Sequence, residues 1–491
     1  MSPGRGGVWA IVFALPPGTT IRIFLAPTMT ELHDLSATEL LAAYRSKALS
    51  PVEVVRGVLK HMVAWEPHLH ATYALDPDAA LTQAEASQAR WLKGEPLGAL
   101  DGVPAMLKEN IATRGVPVPL GTAATELVPA ERDAPPAARL REAGAVILGK
   151  TTMPDYGMLS SGLSSFHPLT RNPWDLSKNP GGSSAGAAAG VAAGYGPLHL
   201  GTDIGGSLRL PAGWCGIFTL KPSLGRIPIY PPYAGRVAGP MTRSVQDSAL
   251  MMSVLSLPDP RDSMSLPYQP TEWQQFDREL RRLRIGLLLD AGWGLPVEPE
   301  VRAAVEAAAR GFESAGAIVE PVKLFMTREM AEGMDRFWRM RFWIDIAALG
   351  EARRAKVLPF IVEWARGGAG LTGAQVFHGY SQMGAMREAA VAACEPYDFV
   401  LTPTAPIAAF AAELPCPTND PARPFEHIAF TLPFNMSEQP AASINCGYTR
   451  EGLPIGLQIV GHRHDDLGVL QMARAWEVMR PAQRAWPVAG R

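Results

Sequence analysis

The sequence predicts an α/β fold, a single large domain in which a central β-sheet is covered by helices on both faces. Short apolar runs bounded by glycine or proline alternate with longer helical patterns, as strands and helices do in such folds. Hydrophobic residues make up 47% of the 491 residues, which is enough for a large core. No composition break or low-complexity linker divides the chain, so we expect one domain although the length alone would suggest about three.

The predicted elements begin with a helical N-terminal layer. Ser36 with Glu39, and Ser50 with Glu53, form capping-box patterns, and each pattern opens an amphipathic helix. The alanine-rich stretch at residues 79–91 predicts a third helix.

Strand patterns dominate the middle of the chain. Short apolar runs punctuated by glycine occupy residues 100–150, and a segment rich in glycine, alanine and serine follows at 181–220. The later predicted elements are a strand, a helix, a long helix rich in aromatic residues and methionine, and two buried strands, at residues 285–289, 298–315, 325–349, 399–404 and 455–460.

Charge and cysteine content exclude several classes of protein. The 45 Lys and Arg residues nearly balance the 47 Asp and Glu residues, so the chain lacks the basic surface of a nucleic-acid or membrane-surface binder. Its four cysteines lie far apart without a C-x-x-C pair, which argues against a disulfide scaffold or a thiolate zinc site.

Residues 1–28 are interpreted separately. Their apolar run, residues 8–15, is too short to span a membrane, and no convincing cleavage site follows it. Ordinary helical patterning begins after Met29. We therefore expect residues 1–28 to be a non-structural leader and residues 29–491 to form a cytoplasmic enzyme domain without membrane spans.

Two serine-glycine clusters are candidate sites for chemistry, at residues 180–186 and 201–209. Glycines beside a serine let the backbone approach a ligand closely and allow successive N–H groups to point at one anion. Two tight turns, or a helix cap at Ser184, would explain the same residues.

A serine nucleophile needs a base that removes its proton. His199 is the one histidine close in sequence to either cluster. Lys108 ends an apolar run, and burial there would lower its pKa and allow the neutral amine to act as a base. Pairing of Lys108 with Glu109 on a surface turn is the alternative.

Together these segments resemble the amidase signature family of serine hydrolases. Lys108 ends a Val-Pro-x-x-x-Lys motif, 75 residues before Ser183, which in turn lies 24 residues before Ser207. The resemblance runs from about residue 30 to the C-terminus and is weakest between 258 and 397. Ala185 replaces a glycine that is common in the family, so we expect ordinary backbone angles at this position. Further family-like segments lie at residues 170–175, 220–226, 239–243 and 452–458.

The resemblance implies a mixed central sheet and a Ser-cisSer-Lys triad that needs neither a metal nor a cofactor. Ser207 would be the nucleophile, Ser183 the bridging serine on a cis peptide bond after Gly182, and Lys108 the terminal base. The implied oxyanion hole consists of the N–H groups of Ile204, Gly205, Gly206 and Ser207. Supporting roles would fall to Gly182, Ser184, Asp203 and Arg209, with charge pairing for the last two unless their side chains are solvated.

Two other functions fit part of the sequence. Residues 182–186 also match the G-x-S-x-G elbow of α/β-hydrolase esterases, with Ser184 as nucleophile and Asp398 and His427 as partners, but this leaves Lys108 unexplained. A subunit of a tRNA-dependent amidotransferase would share the triad and would need a partner protein, which the near-neutral charge does not favour.

Substrate preference is predicted from residues outside these motifs. Tyr230 and Tyr233 lie on a proline-rich loop, and Trp338 and Phe342 continue a stripe of methionines along the long helix, unless that stripe is simply core. Acidic residues accompany the arginines of this helix, so no unpaired cation indicates an anionic substrate. We expect a monomer or homodimer that hydrolyses neutral, apolar or aryl amides, and also carbamates and esters. The arginines of the long helix that have acidic residues nearby are Arg328, Arg336, Arg339 and Arg341.

Overall fold

Eleven strands form one continuous sheet in the computed structural model, which describes residues 31–490. The leader predicted for residues 1–28 lies outside the described residues. The strands are β1 (Thr72–Tyr73), β2 (Pro104–Lys108), β3 (Val146–Thr151), β4 (Leu198–Asp203), β5 (Phe218–Lys221), β6 (Val237–Thr242), β7 (Arg284–Leu287), β8 (Ile318–Pro321), β9 (Phe399–Pro403), β10 (Ala441–Tyr448) and β11 (Pro454–Val460).

The sheet is mixed, as the resemblance implies. Its strand order is β1-β3-β2-β4-β6-β5-β10-β11-β9-β7-β8. Strand β2 runs parallel to β3 and β4, and β7 runs parallel to β8 and β9, while the central pairs from β4 to β9 are antiparallel.

Helices flank the sheet. They are α1 (Ala37–Ser46), α2 (Pro51–Leu69), α3 (Pro77–Lys93), α4 (Pro135–Glu142), α5 (Ala185–Ala193), α6 (Arg209–Cys215), α7 (Val245–Leu255), α8 (Pro299–Ser314), α9 (Arg328–Ala347), α10 (Glu351–Arg354), α11 (Pro359–Arg366), α12 (Gly373–Cys394), α13 (Leu432–Met436) and α14 (Asp466–Met479). Within residues 31–490, none of the helices is both long and apolar enough to cross a membrane.

The predicted helix starts are confirmed. Ser36 caps α1 and Ser50 caps α2, and in both helices the glutamate three residues later completes the capping box. The single α/β domain with helices around a mixed sheet is also confirmed. Helix α5 begins at Ala185, so this alanine has the ordinary helical angles expected of it.

The topology brings two polar strand ends to one edge of the sheet. Parallel neighbours β2 and β4 end at Lys108 and Asp203, respectively, and Leu107 is in register with Leu200. Helix α5, buried along its whole length, packs beside these strands and begins directly after Ser183 and Ser184. The two serine-glycine clusters therefore lie next to the end of β2.

Candidate active site

Lys108 is fully buried at the end of β2, where it contacts the first serine cluster. Its Nζ lies 2.7 Å from Ser183 Oγ and 3.1 Å from Ser184 Oγ. The surface pairing of Lys108 with Glu109 is wrong, since Glu109 is buried and contacts His167 and the Gly121 N–H group instead.

The environment of Lys108 favours the neutral amine. Burial, and after it the positive charge of Arg236, lower its pKa from 10.5 to about 7, against the opposing charges of Asp203 and Glu109. A lysine with this pKa is largely unprotonated in mildly alkaline solution. It can therefore accept a proton from a serine hydroxyl.

Close packing holds the backbone at the first cluster. The peptide bond between Gly182 and Ser183 is cis, as the resemblance implies. A Cβ atom on Gly182 would lie 2.6 Å from Ser161 N and 2.7 Å from its carbonyl oxygen, so only glycine fits here. Ser184 Oγ donates to the Thr202 carbonyl oxygen at 3.2 Å, which connects the cluster to β4.

A buried ion pair holds the loop that carries Ser207. Arg209 Nε and Nη2 donate to the two carboxylate oxygens of Asp203 at 3.0 and 2.9 Å. Burial alone would raise the pKa of Asp203, but the charge and hydrogen bonds of Arg209 keep it well below its usual range. The expected charge pairing is thus observed, and the alternative of solvated side chains is wrong.

Three residues distant in sequence complete this network, and sequence reasoning did not identify them. Arg209 also donates to the Thr431 carbonyl oxygen and to Gln458 Oε1, both at 2.8 Å, and Asn435 Nδ2 donates to Asp203 at 2.9 Å. Gln458 ends the family-like segment at residues 452–458, and this position was the one feature of the sequence that could have indicated its role.

The N–H groups expected to form an oxyanion hole differ in their availability. Gly206 N donates to Asp203 Oδ1 at 2.8 Å, so this N–H group is engaged in holding the loop. Within the part of the chain that is described, the N–H groups of Ile204, Gly205 and Ser207 donate to no backbone carbonyl. These three are the candidates that remain for binding an oxyanion.

A cavity of about 530 Å³ opens beside the two serine clusters. Ser183 and Ser207 both line it, and Ser207 is partly exposed there. The four residues predicted to bind substrate also line this cavity: Tyr230, Tyr233, Trp338 and Phe342. Further apolar lining comes from residues that the sequence analysis did not single out, among them Leu120, Met153, Tyr156, Met158, Phe425 and Ile428.

The cavity wall also carries two arginines. The expectation that every arginine of α9 has an acidic partner is wrong for Arg341, which has no carboxylate within 4.0 Å among the described residues, whereas Arg339 lies 2.6 Å from Asp335. Arg236 lines the same cavity and was not anticipated, because nothing in its local sequence distinguishes it.

The arrangement expected for an α/β-hydrolase is absent. Ser184 Oγ contacts Lys108 and Thr202, whereas both ring nitrogens of His427 lack a hydrogen-bond partner among the described residues. His199 contacts the Tyr195 carbonyl oxygen and no serine. Ser184 therefore does not belong to a Ser-His-Asp triad.

The described residues offer no obvious metal centre. Across residues 31–490, no group of three or more histidine, cysteine, aspartate or glutamate side chains could hold a metal ion. The four cysteines are buried and free.

Comparison with known proteins identifies the family. The family model described as Amidase matches residues 53–470, which is most of the chain. This chain belongs to the amidase signature family. The resemblance to this family, which the sequence analysis based on three short motifs, is therefore confirmed.

Individual relatives within the amidase family differ in activity. A glutamyl-tRNA(Gln) amidotransferase subunit of Myxococcus xanthus is 34% identical over 481 residues, covering 91% of this chain and 97% of the relative. An acylamidase of Rhodococcus erythropolis is 33% identical over 466 residues, with coverage of 92% and 97%. A bacterial aryl acylamidase of the amidase signature family has a similar structure, with a TM-score of 0.84, 30% identity and coverage of 92% and 97%.

Proposed function

We propose that this amidase-family enzyme hydrolyses the C–N bond of apolar or aryl amides through Ser207, Ser183 and Lys108. Aryl carbamates and aryl esters are further proposed substrates, because the same attack on a carbonyl carbon cleaves them. The observation that carries the proposal is the fully buried, pKa-lowered Lys108 in contact with Ser183 beside the cavity that Ser207 lines.

The proposed reaction begins with a proton relay. Neutral Lys108 accepts the proton of Ser183 as Ser183 accepts the proton of Ser207, whose Oγ attacks the substrate carbonyl carbon. The carbonyl π electrons move to oxygen, and the N–H groups of Ile204, Gly205 and Ser207 bind the resulting oxyanion.

Collapse of this tetrahedral intermediate breaks the C–N bond. The proton returns from Lys108 through Ser183 to the leaving nitrogen, which departs as a neutral amine and leaves an acyl ester on Ser207. Water then attacks the ester by the same relay and releases the carboxylic acid. Each proton that Lys108 accepts is given back within the cycle.

The lining of the cavity supports an apolar or aryl substrate. Trp338 and Phe342 are 5% and 6% exposed, and they face the cavity from consecutive turns of α9. Trp338 packs edge-on against Phe425, with ring centroids 5.3 Å apart, and Phe342 packs against Tyr156 at 6.2 Å. Such aromatic walls bind flat, apolar groups. The acylamidase relatives point in the same direction.

An amidotransferase subunit is the second candidate function. It is favoured by the 34% identity to a glutamyl-tRNA(Gln) amidotransferase subunit that this chain covers almost completely. Such a subunit would require a partner protein, whereas a free-standing amidase would act alone.

A substrate panel tests the proposal on the purified chain without a partner. We expect turnover of acyl anilides, and of aryl carbamates or nitrophenyl esters, at rates well above that of glutamine. The measurement is the kcat/KM of each compound. Hydrolysis of glutamine alone, or activity that appears only after a partner protein is added, would favour the amidotransferase subunit instead.

The pH dependence of kcat/KM for a neutral anilide should report on Lys108. Activity requires the unprotonated amine, so we expect the rate to rise with a midpoint near pH 7 and to level off above it. Arg236→Gln removes a positive charge that disfavours the ammonium form, which raises the pKa of Lys108 and moves the midpoint to higher pH.

The Arg236→Gln variant also distinguishes titration of Lys108 from titration of two other buried lysines. Lys150 and Lys221 likewise have their pKa lowered to about 7 by burial, but Arg236 does not contribute to either shift. A midpoint that stays in place in Arg236→Gln would mean that another group controls the rate.

A further inference from the structure

Two arginines on the cavity wall lie close enough for their charges to interact. Arg236 immediately precedes β6 and Arg341 lies on α9, and Tyr233 connects them. The backbone N–H group of Arg236 donates to the Tyr233 carbonyl oxygen at 3.0 Å, while Cζ of Arg341 lies 4.3 Å from the centroid of the Tyr233 ring. The positive charge of Arg341 acts directly on Arg236, and burial together with this charge lowers the pKa of Arg236 to about 10.

Most of their hydrogen-bonding capacity is unused. A guanidinium has five N–H donors. Within the described chain, the Arg236 side chain makes one long contact, 3.5 Å to the Pro231 carbonyl oxygen, and the Arg341 side chain donates to no protein oxygen. The Tyr233 hydroxyl is buried and also lacks a partner among the described residues.

Neither acidic residue on the cavity wall neutralises these cations. The carboxylate of Asp203 is occupied by Arg209. Asp345 is exposed, and among the described residues it forms no ion pair within 4.0 Å with either arginine. Two partly desolvated cations side by side are unfavourable without an anion between them.

We propose that Arg236 and Arg341 bind a carboxylate that the substrate carries on its apolar or aryl part. This inference rests on the proposed function and extends the neutral substrates expected from the sequence. A carboxylate matches the planar fork of donors on each guanidinium and can accept from both at once. The Tyr233 hydroxyl supplies a further donor.

The position of the pair limits where the carboxylate can lie. Arg236 is close enough to Lys108 to affect its pKa, while Arg341 acts on Arg236. We expect an apolar spacer in contact with the aromatic wall between the carboxylate and the scissile bond, because both arginines line the same cavity as Trp338, Phe342 and Ser207.

Paired substrates test the inference. The mono-4-nitroanilides of succinate, glutarate and adipate are compared with neutral 4-nitroanilides in which an isopropyl group replaces the carboxylate. We expect kcat/KM of the best carboxylate to exceed that of its neutral partner at least tenfold, about 1.4 kcal/mol. Neutral anilides hydrolysed as well as all three carboxylates would overturn the inference and leave the proposed function intact.

Variants assign the preference to the two arginines. Arg236→Met and Arg341→Met should each reduce the ratio of carboxylate to neutral kcat/KM at least fivefold. The control is Arg336→Met, on the same helix but outside the cavity lining, where the ratio should not change. An unchanged ratio in both cavity variants would contradict the assignment.

A binding measurement decides the question if no anilide is hydrolysed. That outcome would count against the proposed function, and calorimetry on Ser207→Ala would then compare binding of the glutarate anilide with that of its neutral partner. At least tenfold tighter binding of the carboxylate supports the subsite, and equal binding refutes it.

Discussion

Ser207→Ala should lower kcat for an acyl anilide by about 10⁴-fold or more, because no other group can form the acyl-enzyme. The comparison uses initial rates with the wild-type chain and the variant at matched concentration. Lys108→Ala should come close to the same loss, since Ser207 then lacks the terminal proton acceptor. Residues that act as one relay lose activity non-additively, so the double variant should be barely worse than Ser207→Ala alone.

Stability measurements separate a lost relay from a lost fold. Ser207 is partly exposed to the cavity, so its variant should keep the wild-type melting temperature. Ser314→Ala, on the exposed end of α8, is the matched control and should retain full activity. If Lys108→Ala retained more than roughly a tenth of the wild-type rate, a loss of only about 1.4 kcal/mol, the assignment of the base would be wrong.

Arg209→Met should destabilise the protein by about 3–5 kcal/mol, because it removes one partner of a buried ion pair. The substitution leaves the fully buried carboxylate of Asp203 without its cation and removes the hydrogen bonds to Thr431 and Gln458. Scanning calorimetry or denaturant unfolding measures the effect as a lower melting temperature or midpoint.

An exposed arginine provides the control for this variant. Arg328 lies 3.7 Å from Glu332, and both side chains are more than half exposed, so Arg328→Met should change stability by less than about 1 kcal/mol. Equal effects of the two substitutions would show that the buried pair does not hold the loop. Activity of any folded Arg209→Met protein should also fall, because the N–H groups of residues 204–207 would lose their fixed positions.

Local patterns were sufficient for much of the fold. The helix caps Ser36 and Ser50 could be predicted, because a capping box involves residues only three positions apart. The end of a strand at Lys108 followed from an apolar run. The spacing of three motifs identified the family and brought Lys108, Ser183 and Ser207 into one hypothesis. The expectation of a mixed sheet came with the resemblance, and the order of the strands was not predicted, because periodicity does not specify which strands are neighbours.

The apolar side of the cavity was also anticipated in part. A stripe on α9 indicated Trp338 and Phe342, since residues four apart share one face of a helix. The same pattern could not tell a core stripe from a cavity wall, because both are apolar. That distinction depends on what packs opposite the helix.

The sequence by itself determined the family, the α/β architecture and the residues proposed for the relay, because short motifs and local periodicity encode them. Tertiary structure alone decided which distant groups meet these residues. Arg209 contacts Thr431 and Gln458 across 222 and 249 positions, and Arg341 and Arg236 line the same cavity. Such contacts depend on how the sheet and its flanking helices pack, and one sequence holds no local signal for a pairing between segments so far apart.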